Sequence, residues 1–154
     1  MSKSFDNLND LFDYLKKEVK DSMDVVGEKV QKKVKDNIDK YIYSVYPNPK
    51  IYKRTGNLKN AITKSNAEIK GNEIEVEVFV DDNIAQSYHM YNPNNDLEPY
   101  AKIVETGIGY DFDYPYAYNQ PRPFMGKTKE EIGNNEVYKK ELKKSLESKG
   151  LVVK

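Results

Sequence analysis

The sequence predicts an α+β chain, and three runs of residues carry that prediction. Apolar residues recur every three or four positions from Leu8 to Val45, four β-branched residues alternate with three glutamates and Phe79 from Glu73 to Val80, and helical spacing returns between Pro123 and Gly150. The expected order is a long N-terminal helix, a small antiparallel β-sheet and a C-terminal helix.

The first stripe comprises Leu8, Leu11, Phe12, Leu15, Val19, Met23, Val26, Val30, Val34, Ile38, Tyr41 and Val45, in one register throughout. Ser4 or Asp6 can cap its start, and Pro47 ends it because proline disfavours helical geometry in the residue before it. A helix from Asp6 to Tyr46 is roughly 60 Å long at about 1.5 Å per residue. A domain of this length has a radius of gyration of only about 15 Å. The helix must therefore overhang the domain, pack on a neighbouring subunit or bend. A bend or short break in residues 20–28 is expected, with Gly27 the cheapest place for it.

Thr55-Gly56-Asn57-Leu58 reads as a cap followed by a short helix that turns Leu58, Ala61 and Ile62 inward. In Glu73–Val80, Ile74, Val76, Val78 and Val80 form one buried face, with the glutamates and Phe79 on the other. Gly71-Asn72 supplies the turn of a hairpin whose first strand is residues 66–70, and Asp81-Asp82-Asn83 ends the second. Residues 83–99 and 107–121 lack periodicity and read as loops. Between them Tyr100–Glu105 is a short helix or extended element with Ala101 and Val104 inward, closed by Gly107. Pro123 starts the last helix, with Phe124, Met125, Thr128 and Ile132 on one face, an interruption at Gly133-Asn134-Asn135, and a basic-faced continuation to Gly150.

With 154 residues the chain suits one domain, 1–154: the helix in 1–46, the sheet, short helices and Tyr-rich loops in 47–121, and the C-terminal helix in 122–150. Charge cancels overall, with 25 residues of each sign, so a globally basic nucleic-acid binder is not indicated. The signs are nevertheless segregated. Residues 47–67 carry Lys50, Lys53, Arg54, Lys59 and Lys64 with no acid; residues 68–118 carry eleven acids against Lys70 and Lys102; residues from 119 onward are basic again. Such blocks favour head-to-tail self-association. Absence of cysteine excludes disulfides, thiolate metal sites and thiol nucleophiles. No apolar run at Met1–Phe5 and no eighteen-residue apolar stretch elsewhere leads us to expect neither usual secretion nor a membrane-spanning helix.

Catalysis finds little footing. His89 is the single histidine, set beside Tyr88 and near Tyr91, and no serine lies in a Gly-x-Ser-x-Gly elbow. The acids Asp81, Asp82, Asp96 and Glu98, or Asp111 and Asp113, lack calcium-loop spacing, and Gly107-Ile108-Gly109 lacks the third glycine and the lysine of a phosphate loop. No enzyme activity, metal or cofactor is expected. Lys50, Lys53 and Arg54, interleaved with Tyr52, could make a weak nucleic-acid contact, and a small nucleic-acid-binding module using residues 47–64 is the alternative reading. Eleven of the thirteen tyrosines fall between Tyr41 and Tyr118. Tyrosine suits a wet or partner-covered surface, so Tyr110, Tyr114, Tyr116 and Tyr118 are candidate interface residues.

Arg54-Thr55-Gly56-x-Leu58-x-x-x-Ile62, Tyr100-Ala101-x-x-Val104-Glu105-x-Gly107 and Arg122-Pro123-Phe124 occur in an order that resembles the head-tail joining (neck, tail-completion-like) family of tailed bacteriophages. Ile108 stands where that family often has threonine, and the loops 83–99 and 108–120 are longer. The resemblance implies an α+β domain with a small antiparallel sheet flanked by the N- and C-terminal helices. It further implies a homo-oligomeric ring of six between the portal-associated connector and the tail tube, with a passage for DNA and transient non-specific contact to it. The expected location is the virion's head-tail junction, after assembly in the host cytoplasm.

Overall fold

The computed structural model describes residues 4–45, 47, 53–88, 97–108, 120–134 and 136–152. The fold is α+β. Helix α1 (Leu8–Ile38) runs straight into a π-helical turn (Asp39–Tyr43), and α2 (Asn57–Asn60) follows. Strands β1 (Ile62–Lys64), β2 (Glu68–Lys70), β3 (Glu73–Glu75), β4 (Val78–Val80), β5 (Gln86–Tyr88) and β6 (Leu97–Pro99) come next, then α3 (Ala101–Thr106), α4 (Phe124–Gly133) and α5 (Val137–Ser148).

Asn7, rather than Ser4 or Asp6, caps α1: its side-chain oxygen accepts from the Asp10 N–H at 3.0 Å, while Asp10 takes a bond from the Asn7 amide. The helix passes through residues 20–28 without a break, so the interruption expected there is absent. Gly27 serves packing instead. A Cβ at that position would lie 2.7 Å from Val76 Cγ2, so the missing side chain lets the β-hairpin seat directly on the helix.

The irregularity sits one turn before the helix ends. In the π turn the Ser44 N–H reaches Asp39 O at 2.8 Å, which adds one residue to a helical turn. The inward register slips accordingly. Val34, Ile38 and Ile42 are buried, Tyr41 moves to the polar side, and Val45 is 68% exposed, so the stripe does not keep one register to its end.

Residues 62–80 form one interrupted antiparallel hairpin rather than a uniform pair of strands. Ile62 pairs with Val80 and Lys64 with Val78, whereas beyond the gap Glu68 pairs with Glu75 and Lys70 with Glu73. Three residues, 65–67, therefore oppose two, 76–77, which is a β-bulge. Asp24 of α1 holds the bulge, accepting from Lys64 Nζ at 2.7 Å and from the Ala67 N–H at 3.0 Å. The tip is the expected Gly71-Asn72 turn, Gly71 having a φ of 65° that suits its lack of a side chain.

Two expectations fail locally. Ile62 belongs to β1, not to the short helix, because a single turn of α2 ends at Asn60 and two β-branched residues follow. Residues 83–99 are not simply a loop: β5 and β6 pair antiparallel, Gln86 with Pro99 and Tyr88 with Leu97. Three-residue strands of mixed polarity show no period to read.

Helix α1 packs against α5 and α4 and against the hairpin. Helix α5 runs antiparallel to it, with Glu141 beside Lys29, Ser145 Oγ donating to Ser22 Oγ at 3.0 Å, and Lys149 paired with Glu18 at 3.1 Å. The core gathers Val34, Ile38, Ile42, Leu58, Ala61, Ile62, Ala85, Ala101, Val104 and Phe124. Phe124 is 1% exposed at its centre. Phe124→Ala is expected to cost about 3–5 kcal/mol, read as a lower urea midpoint with an unchanged slope; an unchanged midpoint would contradict the packing.

Candidate functional site

The residues singled out by their motifs meet in and around this core, and most do mechanical work there. Leu58, Ala101, Val104 and Phe124 are buried together. Gly56 has φ 79° at the start of α2, a conformation that costs other residues, so it stands in the cap place that Thr55 was expected to fill. Thr55 Oγ1 instead accepts from the Asn57 N–H at 3.3 Å. Gly107, at φ 69°, ends α3 as expected, its N–H reaching Ile103 O at 2.8 Å. Tyr100 bonds Ala85 O through its N–H at 3.1 Å, joining α3 to the start of β5.

The second and third motifs are locked together by Glu105. Pro123 occupies the cap position of α4, just before the first helical residue, and has no side chain that can cap. The Glu105 carboxylate supplies the acceptors from α3: the Met125 and Gly126 N–H groups donate to it at 3.0 and 2.8 Å. An acidic group on the free N–H groups of a helix start is favourable both as hydrogen-bond acceptor and against the helix dipole. Arg122 adds a backbone bond, its N–H to Val104 O at 3.0 Å.

A second polar hub fastens α4 to α1. Buried Asn37 donates to Thr128 Oγ1 at 2.8 Å and to Glu131 at 3.1 Å, while Thr128 Oγ1 donates back to Phe124 O at 2.7 Å. Glu131 also receives Lys33 at 2.8 Å and the Tyr41 hydroxyl at 3.1 Å. These donors, Lys33 foremost and then Asn37, hold the Glu131 carboxyl down at about 2.

The basic segment is partly spent on the fold. Lys59 pairs with Asp39 and Lys64 with Asp24. Arg54 lies over the Tyr43 ring at 4.9 Å and donates to Pro47 O at 3.2 Å. Lys53 is exposed. Lys50 falls outside the described residues, as do Tyr110, Tyr114, Tyr116, Tyr118 and His89. Among the described residues no three acidic or histidine side chains gather as a metal site.

Two apolar surfaces stand open among the described residues. The first is the leading third of α1, where Leu8 is 69% and Phe12 54% exposed and Leu11 and Leu15 are partly so. The second is a groove of about 270 Å³ between α1, the hairpin and α4, lined by Val30, Val76, Val78, Met125 and Ile132 with Lys129 on its wall. The stripe was legible, but nothing in its spacing said where the core would stop covering it.

A family model described as YomN matches residues 7–148. A Bacillus subtilis (strain 168) protein, the SPbeta prophage-derived uncharacterized protein YomN, is 31% identical over 118 residues, covering 75% of this chain and 72% of that protein. No solved structure matches.

Glu131 makes stability depend on pH with a definite sign. Its carboxyl titrates lower in the folded chain than its ordinary 4.5, so the stabilisation is full above about pH 4.5 and fades as pH falls towards 2. Glu131→Gln is expected to cost roughly 1–2 kcal/mol at pH 7, discounted for the solvent that reaches the carboxylate. Urea melts should show the gap to the parent chain closing between pH 4.5 and pH 2; a gap independent of pH would contradict the network.

Proposed function

The chain belongs to the YomN family, and from that premise we propose that it is a phage-derived structural protein acting at the head-tail junction, as a neck connector or tail-completion ring. The prophage origin stated for the Bacillus subtilis relative supports the phage setting. The observation that carries the structural role is that Leu58, Ala101, Val104, Glu105, Gly107 and Phe124 act as scaffold: four fill the core, one caps α4 and one ends α3. Residues whose job is to hold a domain rigid suit an adaptor better than a catalyst.

The outward surfaces supply what an adaptor needs. The hairpin carries Glu68, Glu73, Glu75 and Glu77 against Lys64 and Lys70, whereas α5 carries Lys139, Lys140, Lys143 and Lys144 against Glu141 and Glu147. Opposed signs on separate elements orient copies of one chain head to tail. In this reading one face of the ring docks on the connector, the other receives the tail tube, and DNA passes through the centre, with Lys50, Lys53 and the Tyr110–Tyr118 segment as the first places to look for contacts. The alternative, a nucleic-acid module built on residues 47–64, loses strength because Lys64 and Lys59 already have acidic partners, Asp24 in α1 and Asp39 in the π turn.

Mass spectrometry of purified phage particles is expected to find the chain at a few copies per virion, and deletion of its gene should leave DNA-filled heads without joined tails. Tailed, infectious particles lacking the chain would end the proposal. Salt-steep DNA binding by the purified chain, lost on neutralising Lys50, Lys53 and Arg54, would favour the alternative.

A further inference from the structure

The strand register sorts the charges of the hairpin onto one side. Val76 lies against Gly27 of α1, so Glu73, Glu75 and Glu77 project from the opposite face, and exposed Phe79 continues their row. Glu68 stands across from Glu75 and Lys70 across from Glu73, on that same face. Two carboxylates directly opposite each other weaken a strand pair. Lys70 answers Glu75 at 2.7 Å, whereas Glu68, Glu73 and Glu77 have no ion-pair partner among the described residues. Lys64 is turned inward, to Asp24. The outer face of the hairpin therefore sets Glu68, Glu73, Glu75 and Glu77 against Lys70 alone.

Helix α5 presents the reverse. Glu141, Ser145 and Leu146 face the body of the chain, Glu141 held by Lys29 and Ser145 bonded to Ser22, while Lys139, Lys140, Lys143 and Lys144 are exposed on the other side. Glu136 and Glu147 close this row at its two ends, Glu147 lying 3.9 Å from Lys143. Lys139, Lys140 and Lys144 have no ion-pair partner among the described residues. On α4, Glu130 is already taken by Lys127 at 2.8 Å. Val137, also exposed, stands on the same side of α5 one turn before Lys140. On α1 the residues that meet α5 are Ser22 and Lys29, and those that meet the hairpin are Asp24, Gly27 and Gln31. At about 100° per residue these two sets stand roughly 180° apart around the helix. With α1 between them, the acidic and basic faces of one copy cannot neutralise each other.

We propose that the outer face of the hairpin, Glu73, Glu75 and Glu77, docks across Lys139, Lys140, Lys143 and Lys144 of α5 in a second copy, with Phe79 and Val137 adding the apolar part of the contact. A polyanion would satisfy α5 but repel the carboxylates of the hairpin. A second copy satisfies both with one repeated contact, and the two charges balance as they do in the whole chain. From Glu73 to Glu77 the strand advances about 13 Å, and from Lys139 to Lys144 the helix rises about 8 Å, a difference that flexible lysine side chains span. The contact joins two different surfaces on opposite sides of α1, so it is heterologous and generates a closed ring or an open chain of subunits. It deepens the ring reading above and rests on it only for the closure; the pairwise contact stands by itself.

Charge reversal tests the contact. Glu73→Lys/Glu77→Lys makes a copy with two basic faces, and Lys140→Glu/Lys144→Glu a copy with two acidic faces; all four residues are exposed, so thermal melts should match the parent. In sedimentation the parent is expected to self-associate at low ionic strength and to lose that association towards about 0.5 M salt. Each reversed chain alone should associate at least roughly tenfold more weakly, and their equimolar mixture should regain the parent's association, because the basic hairpin now meets an acidic α5. A carbodiimide, which takes up the water released as a carboxylate and an ammonium group condense to an amide, should also join Glu73 or Glu77 to lysines of α5 between isotopically light and heavy parent copies. A parent that stays monomeric at low salt and roughly millimolar concentration overturns the proposal. So do reversed chains that associate like the parent, or a mixture no better than its components. Lys140→Glu/Lys144→Glu that leaves association unchanged but abolishes binding to a DNA duplex would assign α5 to nucleic acid and overturn it as well. Failure of these tests with the chain present in virions removes only this contact, whereas their success with the chain absent from virions removes only the neck reading.

Discussion

Burial of one face of α1 around Val34, Ile38 and Ile42 is the contact on which the rest of the structure depends. The other elements are short: β1 to β6 are three residues each, α2 is four and α3 is six. None of them is long enough to be stable alone. Several gain their order by placing a residue in the core built on that face, Leu58 from α2, Ile62 from β1, Ala101 and Val104 from α3, and Phe124 from α4. The π turn belongs to the same constraint. By inserting one residue it brings Ile42 inward and sends Tyr41 to Glu131, so one local distortion serves the apolar core and the polar hub together.

Polar groups then fix the geometry that burial alone leaves loose. Asp24 pins the bulge, Glu105 caps α4 across the gap between two motifs, and Asn37 with Glu131 sets the rotation of α4 on α1. All three hubs use a side chain to satisfy backbone or buried amide donors that would otherwise be costly to remove from water. Burial, capping and pairing therefore converge on one rigid platform, from which the leading end of α1 and the acidic hairpin project.

Much of this was legible in the residues. The stripe of α1 appeared as strict helical spacing, Gly71-Asn72 as a hairpin turn, Gly107 as a helix end and Phe124 as the anchor of a helix started by Pro123. These are signals written within a few neighbouring residues. Features that depend on distant partners were hidden. Glu105 as a cap for α4, Asp24 as the clasp of the bulge and Asn37 as a buried donor require knowing which elements meet. Gly27 misled for the same reason: from spacing alone it looked like a flexible point, whereas its value is the room it leaves for Val76. The π turn carries no local signature, since Tyr41 and Ile42 are equally plausible inward residues until the core is assembled.

The central claim is that α1 is one continuous helix, committed to the core at one end and free at the other. A pair of spin labels at Asn9→Cys and Lys32→Cys, diluted in unlabelled chain, tests it directly by electron–electron distance measurement. A continuous helix predicts a single narrow distribution near 35 Å between the backbone positions, at about 1.5 Å per residue. A markedly shorter or broad distribution would show a hinge in residues 20–28, and with it the loss of the rigid platform.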